Sequence, residues 1–307
     1  MASDLPTAES DNWSDWLLNR RHGRDPVLLE ALRPELNRIA DRVLDGAKLE
    51  PNMTLADVGT GDGLVALRAI DRLGPALRVL LVDISPALLS HTEALARERG
   101  VGSQCSFLHC SADNLEMIDD ASTDVVTTRA VLAYVANKEL AFREFFRVLR
   151  PEGRISLAEP IFRDDALATA TLKDMVQQRP SGDNDRLLPL LHRLYASFYP
   201  DTPEKISENP LFNFTERDLM RLAQISGFAD VRLEFRIEAA TSLPVSWEAF
   251  LDIAPCPLAP PFRTILSACF TEDERQYLEP ALRSMLNTSR LGATSRIAYL
   301  TGQKPGK

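Results

Sequence analysis

The chain has 307 residues, 45% of them hydrophobic and 26% charged, and carries a net charge of −9. Those values fit a globular protein long enough to bury a substantial core. The acidic balance argues against a general binder of nucleic-acid backbones, which needs a cationic face.

No apolar run approaches the roughly 20 residues of a membrane span. The opening MASDLPTAESDNW has acids where a secretory signal has an apolar centre. A cytoplasmic protein with reduced thiols and no membrane partner is expected. Cys105, Cys110, Cys256 and Cys269 form no CxxC and no zinc spacing with the four histidines, so no metal is expected either.

In chain order, residues 1–24 are polar, with Trp13 and Trp16 one helical turn apart, as in a mobile arm or a short lid helix. Asp25-Pro26 opens a helix, with Asp as cap and proline in the first turn. That helix is expected to break at Pro34 and to end at Gly46. An alternation follows: strand 53–59, helix 63–73, strand 78–84, and a helix from Ser85-Pro86 to Gly100. Strands near 104–109 and at 124–129 come next. Asn137 caps a helix whose Ala141, Phe142, Phe145, Phe146 and Leu149 share one face, and Pro151-Glu152-Gly153 turns the chain into a strand at 154–159. Apolar strands alternating with amphipathic helices predict a parallel sheet covered on both faces.

The alternation stops between 161 and 210, where two helical patterns flank a polar break at 179–186. It resumes with a helix from Thr215 to Gly227 and a strand at 229–237. Residues 244–292 read as helical, and 295–303 as a last strand.

The stretch LADVGTGDGLVAL, Leu55 to Leu67, is written as strand, tight loop and helix. A dinucleotide fingerprint, G-x-G-x-x-G, needs its third glycine at position 64, which is leucine here. Asp57 and Asp62 would also lie close to a pyrophosphate, at an electrostatic cost. A cationic adenosyl ligand with no phosphate removes the conflict, and S-adenosylmethionine is such a ligand. Asp83, 20 residues after Gly63, stands where a carboxylate accepts ribose hydroxyls, a spacing that NAD would share.

On these motifs the chain resembles the class I S-adenosylmethionine-dependent methyltransferases, especially the branch of ubiquinone and menaquinone biosynthesis C-methyltransferases. The resemblance covers residues 50–160 well and 215–235 loosely, through LADVGTGDG, VDIS, CSADNL, DVVTTRAVLAYV and FREFFRVLRPEGRISLAEP. It implies a Rossmann-like α/β fold with seven strands, the last antiparallel. It also implies cofactor contacts from Asp57, Gly59, Thr60, Gly61 and Gly63, from Asp83 and Ile84, from Ala112, Asp113 and Asn114, and from Arg129. Asp83 would hold the ribose, Ile84 would pack on adenine and Asp113 would accept its amino group. Arg129 departs from the family, which often has a small polar residue there.

Ligands of such sheets sit beyond the carboxyl ends of the strands, which brings Arg129, Ala130, Tyr134, Glu159 and Pro160 near an acceptor. Arg129 either forks onto a substrate anion or pairs with a local acid to hold the cofactor loop. Glu159 is either a general base or an acceptor of backbone N–H groups that fixes the following turn. His192, close in sequence to Tyr195 and Tyr199, lies in an amphipathic helix where core packing is the default, with a role at the acceptor if that segment is a lid. Trp13 and Trp16 either line the pocket or dock the arm. Cys105 and Cys110 bracket a strand on the adenine side, which disfavours a metalloid acceptor.

Four segments are therefore expected: a helical cap at 1–48, a cofactor-binding core at 49–160, a helical lid at 161–214, and the rest of the fold at 215–307 with a helical insertion at 244–292. The expected activity is methyl transfer to a small-molecule metabolite or natural product, anionic if Arg129 contacts it, in a monomer or homodimer. A nicotinamide-dependent oxidoreductase and a non-catalytic S-adenosylmethionine-binding module are the alternatives.

Overall fold

Each strand of the alternation delivers an apolar stripe that a following helix covers, and the resulting architecture is seen in a computed structural model describing residues 9–180, 184–239, 244–287 and 294–306. The amino-terminal helices are α1 (Asn12–Leu18) and α2 (Pro26–Ala47). The alternating part runs β1 (Thr54–Val58), α3 (Leu64–Leu73), β2 (Arg78–Asp83), α4 (Pro86–Glu98), β3 (Cys105–His109), β4 (Thr123–Arg129), α5 (Lys138–Val148) and β5 (Leu149–Pro160). Then come α6 (Arg163–Gln177), α7 (Leu187–Ala196), α8 (Pro203–Glu208), α9 (Glu216–Ile225) and β6 (Ala229–Ala239). The chain closes with α10 (Trp247–Asp252), α11 (Phe262–Cys269), α12 (Glu272–Asn287) and β7 (Thr294–Gln303).

The strands form one sheet in the order β3-β2-β1-β4-β5-β7-β6. Neighbours from β3 to β5 are parallel, and β7 runs antiparallel between β5 and β6. This is the expected seven-stranded Rossmann-like sheet. One face packs on α2 and α3 through Ala40, Val43, Leu44, Val65, Ala69 and Ile70. The other packs on α5 and α9 through Phe142, Phe145, Leu219 and Leu222. The starts read from the sequence hold physically. Asp25 accepts from the Val27 N–H at 2.8 Å, Ser85 from Leu88 at 3.1 Å and Asn137 from Leu140 at 3.0 Å. Among the described residues no helix is long and apolar enough to cross a membrane.

Two local expectations are corrected. Pro34 does not break α2: it lies on the exposed side, where water can satisfy the carbonyl that loses its partner, while Leu28, Ile39 and Val43 anchor the helix on either side. Gly46 does not end the helix, which continues to Ala47 and stops with Lys48 in the left-handed conformation, φ 49°. In addition, Pro151-Glu152-Gly153 is not a turn before β5 but an irregularity within it, marked by a register shift between Thr123 and Val125 on β4.

Helices read as two separate insertions turn out to share a core. Leu190 and Leu194 of α7 join Phe250 and Leu251 of α10, Ile265 and Leu266 of α11, and Leu278 and Leu282 of α12 in one hydrophobic cluster. Each of these helices is amphipathic and needs a partner for its apolar face. Parts of three expectations fall outside the described residues: positions 1–8 of the arm, 181–183 of the polar break and 288–292 of the last helical stretch.

Gly46 has a packing role that its sequence context does not reveal. A Cβ there would come within 2.5 Å of Ser156 Oγ and 2.8 Å of Thr301 Cγ2 on the sheet. Ser156 Oγ is itself held by a 2.6 Å hydrogen bond to the Val43 carbonyl. Gly46→Ala is therefore expected to destabilise the protein by about 1–3 kcal/mol, read from denaturant unfolding midpoints.

Candidate functional site

β1 ends at the centre of the sheet, and the loop after it turns back sharply enough to require left-handed glycines. Gly59 and Gly61 have φ of 67° and 57°, and a Cβ on Gly59 would lie 2.3 Å from Val131 Cγ2. The loop is tied from beneath by Asp57. Its carboxylate accepts from Thr127 Oγ1 and Thr60 Oγ1, both at 2.8 Å, and the Thr60 N–H donates to the Val82 carbonyl at 2.9 Å. Burial pushes the Asp57 carboxyl up to about 6, against the two hydroxyls that favour its ionised form.

At the end of β2, Asp83 accepts from the Gly61 N–H and the Ser85 N–H, each at 2.9 Å. Burial raises its pKa, and Asp11 nearby adds to the rise. One carboxylate thus fixes the middle of the glycine loop and still faces the cavity. Lining that cavity are Gly59, Gly61, Asp83, Ile84, Ala112 and Asp113. On the far side stand Arg129 and Tyr134. Ile84 is 45% exposed, an apolar surface waiting for a flat partner.

The roof comes from the amino-terminal segment. Asp11 caps α1, accepting from Trp13 and Ser14 N–H at 2.9 Å, and its second oxygen accepts from Ser85 Oγ at 2.6 Å. Trp13 packs edge-on against Tyr134, ring centroids 5.3 Å apart. Trp16 donates Nε1–H to the Ala254 carbonyl at 2.8 Å, and Arg20 donates to the Ala259 carbonyl at 3.2 Å. Trp13, Trp16, Leu17 and Arg21 all line the cavity.

Of the residues named from sequence, the structure gathers Gly59, Gly61, Asp83, Ile84, Ala112, Asp113, Arg129 and Tyr134 around one space. Asp57, Thr60, Gly63 and Asn114 support it from behind: Gly63 starts α3, and Asn114 pairs with Ser111 beside the adenine-side loop. Glu159 and His192 are corrected as acceptor-site residues. Glu159 is fully buried, accepting from the Val131 N–H at 2.9 Å and from the Thr128 hydroxyl, so it fixes the turn that carries Tyr134. Burial pushes its pKa up to about 7. His192 Nε2 lies 3.3 Å from Asp201, a carboxylate shared with Lys173 of α6 and Lys205 of α8.

Arg129 stands between its two expected roles. It lines the cavity, and its Nη2 is 3.8 Å from Asp62 in the glycine loop, a loose ion pair. Arg21 and Asp11 were missed. Arg21 sits in the unremarkable run RRHGR, and only the tryptophans five and eight residues before it hinted that the segment folds over a pocket.

The cavity fits an adenosylated sulfonium. It offers a cradle of glycines without Cβ atoms, a carboxylate in Asp83 and apolar surface at Ile84 and Ala112, with Asp62 just behind, 3.8 Å from Arg129. Residues 49–197 match a family model described as a methyltransferase domain. That stretch is a methyltransferase domain by similarity, and its sheet is Rossmann-like, as in the class I S-adenosylmethionine-dependent methyltransferases. S-adenosylmethionine is the cofactor of that family, and a nicotinamide dinucleotide is not favoured.

Among similar curated proteins, nocamycin O-methyltransferase of Saccharothrix syringae is 35% identical over 45% of this chain and 47% of its own length. The tRNA 5-carboxymethoxyuridine methyltransferase of Escherichia coli K12 is 30% identical over 38% and 43%. The ubiquinone/menaquinone biosynthesis C-methyltransferase UbiE of Idiomarina loihiensis is 30% identical over 38% and 46%. The matched stretch spans less than half the length of each of these relatives. Among solved structures, the [4+2]-cyclase SpnF superposes with a TM-score of 0.52 at 18% identity, over 88% of this chain and 81% of that one, a likeness of fold alone.

Two outcomes test the methyltransferase site. Asp83→Ala removes the anchor of the glycine loop, and calorimetry should show cofactor affinity falling at least tenfold. The second concerns pH. Because burial raises the Glu159 pKa from 4.5 to about 7, the folded state holds a proton that the unfolded chain releases near pH 4.5. The stability this group contributes is complete below about pH 4.5 and is lost as pH rises through about 7. Urea titrations at pH 5 and pH 8 should show a smaller loss in Glu159→Gln than in the unsubstituted protein.

Proposed function

We propose that the protein transfers the methyl group of S-adenosylmethionine to a small-molecule acceptor enclosed beneath α1 and the helical cap. The observation that carries this reading is the roof. Trp13, Trp16 and Leu17 line the same cavity as Asp83, Ile84 and Asp113, and their segment is fastened to the cap by Trp16 to Ala254 and Arg20 to Ala259. A compact acceptor suits such an enclosure. The net charge of −9 further favours a metabolite over a nucleic acid, although one relative named above acts on tRNA.

When bound, the cofactor supplies an activated methyl on a sulfonium that needs no further activation. The chain's own residues then have to hold the acceptor in line and keep water out, and orientation of that kind is worth about 7–11 kcal/mol. Arg129 meets an anionic group of the acceptor in this reading, supported by its place on the cavity wall and by the looseness of its pairing with Asp62. Tyr134 stays a neutral phenol that can donate a hydrogen bond but does not serve as a base: burial drives its pKa well above that of an ordinary phenol, with the nearby Cys256 adding to the rise.

Methyl transfer is tested by following release of S-adenosylhomocysteine from bound cofactor on adding candidate acceptors. Cofactor binding without release for any acceptor would favour a binding module, or a different reaction on the same fold. Arg129→Ala should raise the acceptor KM about tenfold or more while shifting the cofactor Kd less than threefold. Equal losses in both would return Arg129 to holding the cofactor loop.

A further inference from the structure

Two guanidiniums, those of Arg21 and Arg129, line the cavity. Arg129 has Asp62 at 3.8 Å. Arg21 projects from the roof, with its guanidinium 5.6 Å from the Trp16 ring centroid. Among the described residues Arg21 has no carboxylate at ion-pair distance, and its electrostatic partners are Arg129, Asp62 and Tyr134. Burial first, and Arg129 second, push its pKa down to about 10, which marks two like charges held close in a poorly solvated space.

The charge there does not balance with the cofactor alone. Arg21 and Arg129 are set against the carboxylates of Asp62 and of buried Asp57. The methionyl end of the cofactor brings an ammonium, a sulfonium and one carboxylate. Over these groups one positive charge is left over, available to an anionic acceptor.

A second observation is independent of that surplus. The side chains that sequence reasoning offered as proton acceptors are engaged or protonated. Glu159 is buried against Thr128 and Val131, His192 lies against Asp201, and Tyr134 is a phenol held neutral by burial. Asp83 is occupied at the ribose end by Gly61 and Ser85, and Asp113 by Ser111. An acceptor that reaches this cavity already ionised needs no base.

We propose that the acceptor is a carboxylic acid methylated on its carboxylate oxygen, with Arg21 and Arg129 holding the anion and Arg21 selecting it. The inference rests on the methyl-transfer reading above. A carboxylate oxygen forms a bond to the methyl carbon as the carbon–sulfur bond breaks, and that electron pair stays on sulfur. A methyl ester and neutral S-adenosylhomocysteine result, and no proton is released. Both the sulfonium and the carboxylate lose their charges, so a dry enclosure favours the step. The paired guanidiniums supply the fork geometry that carboxylates prefer.

The test uses the full chain, methyl-tritiated S-adenosylmethionine, and a panel of aliphatic and aromatic carboxylic acids, each beside its primary amide. Label should enter acids and not amides, and mild alkali should release it as volatile methanol. Arg21→Gln should raise the acid KM at least tenfold while calorimetry shows S-adenosylhomocysteine affinity within threefold. Arg21→Lys, which keeps the charge without the fork, should recover part of that loss and guards against a variant that merely misfolds. An Arg21→Gln loss confined to S-adenosylhomocysteine affinity overturns the assignment, as does label entering amides equally. Alkali-stable label, or label found only in a parallel panel of phenols, amines and thiols, overturns it while leaving methyl transfer intact. No label in either panel, with cofactor bound normally, removes methyl transfer as well.

Discussion

The cofactor cavity depends on a buried carboxylate that never reaches it. Asp57 holds Thr60 on the glycine loop and Thr127 on the neighbouring strand, so two parallel strands and the turn between sheet and helix move as one piece. Asp83 repeats the device one strand over, gripping the Gly61 N–H from the side. A loop rich in glycine is conformationally free by default, and an open cradle survives only if something fixes it. Two carboxylates from adjacent strands do so, and hydrogen bonds offset the desolvation that each suffers.

Around that fixed floor the remaining elements divide the labour. The sheet and its flanking helices present strand ends in one plane, as parallel sheets do. Helices α7 and α10–α12 bury their apolar faces on one another and stand as a separate cluster. The amino-terminal segment spans the two, with Asp11 on the Rossmann side and Trp16 and Arg20 on the cap side. Charge around the cavity is divided as well: Asp83 and Asp113 line it beside β2 and β3, Arg129 at the end of β4 and Arg21 from the roof.

The periodicity of the chain made most of this fold readable. Strands bounded by capped helices announced themselves through Ser85-Pro86, Asn137 and Thr215, because caps and first-turn prolines are local chemistry. Pro34 and Gly46 misled for the opposite reason: what decided them was tertiary. Pro34 is tolerated because its ring faces water, and Gly46 is required because Ser156 and Thr301 arrive from the sheet 110 and 255 positions later. The same limit governs the site. The glycines, Asp83 and Asp113 lie within motifs of fixed spacing and were legible. Glu159 had the right position on its strand, but the direction of its side chain depended on the Val131 turn. Arg21 carried no motif at all; only the fold brings an arm near residue 21 over a strand that ends at residue 129.

The bond between Asp11 and Ser85 has a kinetic corollary. Ser85 caps the helix that begins three residues after Asp83, so the roof is moored next to that carboxylate. Freeing that roof means breaking the Asp11, Trp16 and Arg20 hydrogen bonds together, and at about 1 kcal/mol apiece this leaves on the order of 1% of molecules open at any moment. A hinge in the amino-terminal segment that opened this often would gate passage beneath the roof.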